Sequence, residues 1–191
     1  MDHFFQKIEG WFDEDTDWPM YASMVDKYPS GSHFVEIGSW QGRSACCMAV
    51  EIINSDKDIK FDCVDTWRGS EEHQSDPRVV HDKLYSIFLE NTKPVSHMIK
   101  DTRMPSCDAS KLYEDNSLDF VFVDGDHTYE GVWSDLENWF PKLKVGGSIV
   151  GHDYGNGNFP GLKRAADEFS DKYNTPFAIN RHLFTIEKKE R

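Results

Sequence analysis

Long apolar runs are absent from this chain, and no stretch comes near the roughly 20 residues needed to cross a bilayer. Positive charge is scarce: 21 Lys and Arg stand against 34 Asp and Glu, for a net charge of −13. That balance argues against extended contact with a nucleic-acid backbone or an anionic membrane surface, both of which need clustered cations. A small molecule, or a neutral or cationic partner, is what it favours. Cysteine is sparse as well. Cys46, Cys47, Cys63 and Cys107 form no CxxC pair and no spaced framework, so neither a zinc site nor a disulfide scaffold is expected. The opening MDHFFQKIEGWFDEDTDW is acidic and lacks the basic start of a secretory signal, which makes the cytoplasm the expected location. Internal repeats, low-complexity tracts and domain linkers are also missing.

What is present is a globular composition, 38% hydrophobic and 14% aromatic over 191 residues. This is enough chain for one domain with a substantial core. The richest stretch is LDFVFVDGDHTYEGVWSDLENWFPKLKVGGSIVGHDY, from Leu118 to Tyr154. Phe120–Val123 and Ser148–Val150 read as short buried strands. Val132, Leu136, Trp139, Phe140 and Leu143 recur at helical spacing between them. A strand–helix–strand unit with apolar strands predicts a parallel pair covered on both faces. Both strands then end at the same edge, bringing Asp124, His127 and Asp153 together where open α/β sheets bind ligands. Asp126 is expected to cap the intervening helix.

Along the chain, residues 1–29 read as a helical cap, lid or dimer contact. Phe4, Phe5, Ile8, Trp11 and Phe12 lie on one helical face, and a second helix enters through Trp18-Pro19. Residues 30–191 read as the α/β core. Its strands are expected at 33–37, 60–64, 95–99, 120–123 and 148–150, with a closing pair at 177–179 and 183–186. Helices are expected over 43–53, 79–91, 108–113 and 162–173. The polar segment RGSEEHQSDPR, residues 68–78, follows a strand at the ligand edge and is the expected mobile loop. The fold predicted is a doubly wound, mostly parallel sheet with helices on both faces and an antiparallel C-terminal edge.

The first strand runs into VEIGSWQGRS. Gly38 and Gly42 permit positive φ, and the following helix offers free N–H groups at its start. A dinucleotide fingerprint would read GxGxxG, but Ser39 and Trp40 occupy the middle of this turn and Gly42 ends it, which argues against a nicotinamide oxidoreductase. Asp65 ends the second strand, where a carboxylate can accept both hydroxyls of a ribose. A nucleoside-type cofactor is the reading favoured.

VEIGSWQGRS, VDTWRGSEEH and the Leu118–Tyr154 stretch together resemble class I S-adenosylmethionine-dependent methyltransferases. More narrowly, they resemble the small O-methyltransferase-like family related to macrocin-type sugar O-methyltransferases. The resemblance covers roughly residues 30–170. It implies that Glu36, Gly38, Ser39, Trp40, Gly42 and Ser44 belong to the cofactor loop, that Asp65 holds the ribose, and that Thr66 and Trp67 lie beside the adenosine. It also implies adenine contacts from Ser106 and Cys107, and a place for Asp124 beside the cofactor. Asp124 and Asp153 correspond to metal-binding carboxylates, and His127 to a general base. Where those relatives carry a carboxylate pair before the tyrosine, this chain has His152-Asp153. The implied function is O-methylation of a small hydroxylated acceptor, a sugar or secondary metabolite, assisted by Mg²⁺ or another divalent cation. An N-methyltransferase and a non-catalytic S-adenosylmethionine-binding protein remain open beside it, as does a homodimer through the N-terminal helices.

Overall fold

Apolar strands that alternate with amphipathic helices build a seven-stranded sheet in the computed structural model, which describes residues 1–190. The strands are β1 (His33–Ile37), β2 (Lys60–Asp65), β3 (Ile99–Arg103), β4 (Leu118–Val123), β5 (Leu143–Gly151), β6 (Phe177–Asn180) and β7 (Leu183–Glu187). Their order across the sheet is β3-β2-β1-β4-β5-β7-β6. The first five are parallel, and β7 runs antiparallel between β5 and β6. Strand order reverses between β1 and β4, which opens a crevice at their carboxyl ends.

Two cores flank the sheet because side chains alternate along each strand. Phe34, Phe61, Cys63, Phe120 and Phe122 face α1 (Asp17–Lys27), α2 (Arg43–Asn54) and α4 (Leu84–Thr92). Val35, Ile37, Val64, Val121 and Val123 face α6 (Tyr129–Trp139) and α7 (Pro160–Tyr173). Two short helices, α3 (Pro77–Val80) and α5 (Ser106–Ala109), punctuate the loops at the crevice. Cys46, Cys47 and Cys63 are buried free thiols, while Cys107 is exposed. No helix among the described residues is long and apolar enough to cross a membrane.

Four expectations need correction. The first apolar face, Phe4 to Phe12, is not a helix: only Phe5–Lys7 makes a 3₁₀ turn, Ile8 is extended and Gly10 has φ 155°. Phe5, Ile8 and Phe12 still bury, because this irregular segment joins the core that covers α2, whereas Trp11 stays exposed. Spacing alone could not tell a helix face from a segment laid over one. The expected helix at 79–91 is broken at Asp82, with φ 49°, into α3 and α4. The third strand begins at Ile99, not Val95, because Lys93–Val95 prolongs the end of α4 as a 3₁₀ turn. This strand, IKDTR, lies on the sheet edge and is half solvated, so it carries no apolar run. Finally, Thr128 rather than Asp126 caps α6, accepting a hydrogen bond from Gly131 N at 3.0 Å; Asp126 accepts from Thr128 N one turn earlier.

Candidate active site

The crevice opens into a cavity of about 600 Å³, within the range typical of small-molecule sites. Two turns build its floor. Gly38 ends β1 with φ 85°, and a Cβ there would collide with the backbone carbonyl of Asp124 at the end of β4. The glycine is therefore required by the close approach of two protein turns rather than by a ligand. Gly42 also has positive φ, at the start of α2, and faces Thr92 and Phe88 instead of the cavity.

Asp65 joins the β1 turn to the end of β2. Its Oδ2 accepts from Trp40 N at 2.9 Å and its Oδ1 from Trp67 N at 2.7 Å. Burial raises the Asp65 carboxyl, and these N–H groups oppose the rise. Ser39, Trp40, Ser44, Asp65, Thr66, Ser106 and Cys107 line this half, as the sequence suggested. Glu36 and Trp67 do not. Glu36 is fully buried under α1, where it accepts from the Tyr21 hydroxyl at 2.7 Å and burial pushes it up to about 7. The Trp67 ring packs on Tyr85 and Phe88, and its indole N–H donates to the Trp40 carbonyl at 2.9 Å. In the cavity wall, Trp40 Nε1 and Gln41 Nε2 are buried without a hydrogen-bond partner. Orphaned donors of this kind fit a ligand that brings acceptors, such as the carboxylate end of an amino-acid-bearing nucleoside.

The other half lies past β4 and β5, and here Asp124, His127 and Asp153 converge as expected, with His152 beside them. His127 Nε2 stands 3.5 Å from Asp124 Oδ1 and 3.4 Å from Asp153 Oδ2. Its Nδ1 is 2.9 Å from Glu72 Oε1, and Phe159 stacks on its ring at 4.2 Å. Burial would lower His127, but Asp124, Glu72 and Asp153 outweigh it and raise it to about 9. His152 lies behind the cavity wall. Its Nδ1 is 3.2 Å from Asp153 Oδ2 and 3.5 Å from Asp124 Oδ1, yet it makes an aligned hydrogen bond to neither. Burial opposes its charge too, and Asp124, Asp153 and Asp17 together raise it to about 11. Asp153 is lowered to about 2: burial pulls the other way and is outweighed by His152, Asn156 and His127.

Asp124, His152 and Asp153 each offer a ligand atom, all within 4.8 Å of one another. Two carboxylates and an imidazole nitrogen with no aligned partner make a donor set that fits a divalent cation. The imidazole leans the choice from Mg²⁺ toward Mn²⁺ or Fe²⁺.

Several residues that shape the site were given no individual role by the sequence. Glu72 comes from the polar loop, and Phe159 from the loop after β5. Trp11 tilts against Trp40 and His73 at the mouth, with ring centroids 5.7 and 5.5 Å away. Asp135 is only 6% exposed on α6, lines the cavity, and is pushed up by burial to about 7. No role was assigned to it from sequence, and it is enclosed where α6 packs on α5.

Comparison with known proteins agrees with this geometry. The family described as "Methyltransferase domain" matches residues 35–154. An uncharacterized protein of Sinorhizobium fredii is 30% identical over 153 residues, covering 79% of this chain and 16% of that protein. Demethyldecarbamoylnovobiocin O-methyltransferase of Streptomyces niveus is 32% identical over 104 residues, covering 54% of this chain and 34% of the enzyme. The chain thus spans 16% and 34% of the length of these curated relatives. Among solved structures, the O-methyltransferase NovP superimposes with a TM-score of 0.71 at 19% identity, over 91% of this chain and 79% of that one.

Proposed function

Because this chain belongs to the methyltransferase-domain family, we propose that it transfers a methyl group from S-adenosylmethionine to a hydroxyl of a small acceptor. The observation that carries this reading is the division of one cavity into two halves. Asp65 and the Gly38 turn frame one, and Asp124, His127 and Asp153 the other. Support for oxygen as the target comes from the O-methyltransferase activity named for the Streptomyces niveus relative.

Methyl transfer is an in-line displacement, so the chain must hold the sulfonium and the acceptor oxygen in line and keep water from between them. Asp65 is suited to the ribose hydroxyls, and the free donors Trp40 Nε1 and Gln41 Nε2 to a carboxylate. Trp11, Trp40, His73 and Phe159 provide flat apolar faces against which an acceptor ring can pack. Arg43, among the described residues the one Lys or Arg lining the cavity, donates to the Ile8 carbonyl at 2.9 Å, so a neutral or cationic acceptor is favoured over an anionic one.

Glu72 occupies the Nδ1 side of His127, which leaves Nε2 as the atom to take the hydroxyl proton. Asp124, Asp153 and His152 Nδ1 would hold a divalent cation. When bound, it would lower the pKa of a ligated hydroxyl and offset the carboxylate charge that keeps His127 protonated.

Two measurements test this. Calorimetric titration with S-adenosylhomocysteine should show saturable binding that Asp65→Ala weakens. Labelled methyl transfer to a panel of phenols and glycosides, with Mn²⁺ or Mg²⁺, should disappear in His127→Ala. No binding of S-adenosylhomocysteine would remove the reading.

A further inference from the structure

One fully buried acid outside the cavity has no part in methyl transfer as described. Asp17 opens α1, 135 residues before His152. Its Oδ2 accepts from Asp13 N at 2.6 Å and lies 3.2 Å from His152 Nε2, while its Oδ1 lies 2.8 Å from His182 Nε2. The neighbouring Thr16 hydroxyl accepts from Arg181 at 3.0 Å, so the start of α1 is clamped from the loop between β6 and β7. A carboxylate accepts hydrogen bonds and donates none, so each imidazole presents an Nε2–H to Asp17. For His152 this assigns one proton to the side away from the cavity. The other nitrogen, Nδ1, is the atom that faces Asp124 and Asp153 without an aligned partner, in a residue only 7% exposed.

We propose that Asp17 is a positioning residue: it fixes the ring and tautomer of His152 so that Nδ1 completes, with Asp124 and Asp153, a site for a divalent cation of the Mn²⁺ type. The inference rests on the metal-assisted reading above. Metal-ligating histidines characteristically donate their second N–H to a carboxylate, which orients the ring and raises its basicity. Here that carboxylate comes from the N-terminal helix, so residues 13–17 become a working part of the site rather than a cover for the sheet. A second arrangement, with Asp17, His152 and His182 themselves as ligands, also brings donor atoms within 4.8 Å of one another. It would require the ion to displace both Nε2 protons that Asp17 now accepts, and it would leave His152 Nδ1 unexplained.

The test is Mn²⁺ titration of the full chain, read by the electron paramagnetic resonance of free Mn²⁺, with S-adenosylhomocysteine calorimetry on the same samples. The wild type should bind Mn²⁺ saturably and show a ¹⁴N coupling that His152→Ala abolishes. Asp124→Asn should lose binding. Asp17→Ala and Asp17→Asn should weaken Mn²⁺ about 10–100-fold, the usual effect of losing an outer partner, with S-adenosylhomocysteine affinity unchanged. His182→Ala should retain most of the Mn²⁺ affinity. If Asp17→Ala does not fold, the isosteric Asp17→Asn carries the test. Wild-type Mn²⁺ affinity in the Asp17 variants would overturn the proposal, and so would a greater loss in His182→Ala than in Asp124→Asn. A wild type that binds S-adenosylhomocysteine but no Mn²⁺ would overturn this inference alone, whereas binding neither would remove the methyltransferase reading as well.

Discussion

The two halves of the cavity are assembled in different ways. The half beside β1 and β2 is largely self-contained: Asp65 accepts from the backbone of Trp40, 25 residues away, and from Trp67, two residues on. The half beside β4 and β5 depends on distant segments. Glu72 reaches His127 across 55 residues, and Asp17 reaches His152 across 135 and His182 across 165. Binding of the cofactor should therefore survive changes that disable chemistry in the other half.

The largest expected effect follows directly. His127→Ala should lower kcat about 10²–10⁴-fold, the usual contribution of a general base, without changing S-adenosylhomocysteine affinity. A parallel loss of affinity in isothermal titration would break the division. Gly38→Ala tests a point where the halves touch. Its positive φ alone costs about 1–3 kcal/mol in a non-glycine residue, and the collision with the Asp124 carbonyl adds to that. Urea denaturation should report the lost stability, and both cofactor affinity and turnover should fall together.

Asp135 gives a smaller, pH-dependent effect. Its folded pKa of about 7 lies above the unfolded value, so the folded chain binds the extra proton and stability falls as pH rises from about 4 to 7. Asp135→Asn should therefore raise Tm at pH 8 and leave it nearly unchanged at pH 4. Equal shifts at both pH values would contradict the burial of this acid. Smallest of all, Arg164→Ala breaks an exposed i,i+4 pair with Glu168 on α7, remote from the contacts that join the halves. Chemical denaturation should detect little or no change, as expected of a solvent-screened surface pair.

Much of the half beside β1 and β2 was legible in the chain because its signals are local. A strand, two glycines, a helix start and an acid at the end of the next strand are all readable from neighbouring residues. The βαβ unit was equally plain, since its strands are continuous apolar runs buried on both faces. Errors fell where burial did not follow local spacing. The N-terminal aromatics pack without a helix, and β3 is a half-solvated edge strand whose residues resemble a loop. Glu36 matched a cofactor motif, yet it turns to the α1 face because strand side chains alternate.

The sequence by itself determined the mostly parallel sheet and the meeting of Asp124, His127 and Asp153 at one edge. Strand direction and side-chain period leave those residues no other edge. Only the tertiary structure decided what surrounds them: Asp17 behind His152, Glu72 and Phe159 about His127, and Asp135 buried on α6. These partners are brought together by the burial of apolar faces that lie elsewhere on their segments. Their own residue types carry no record of where that packing will set them.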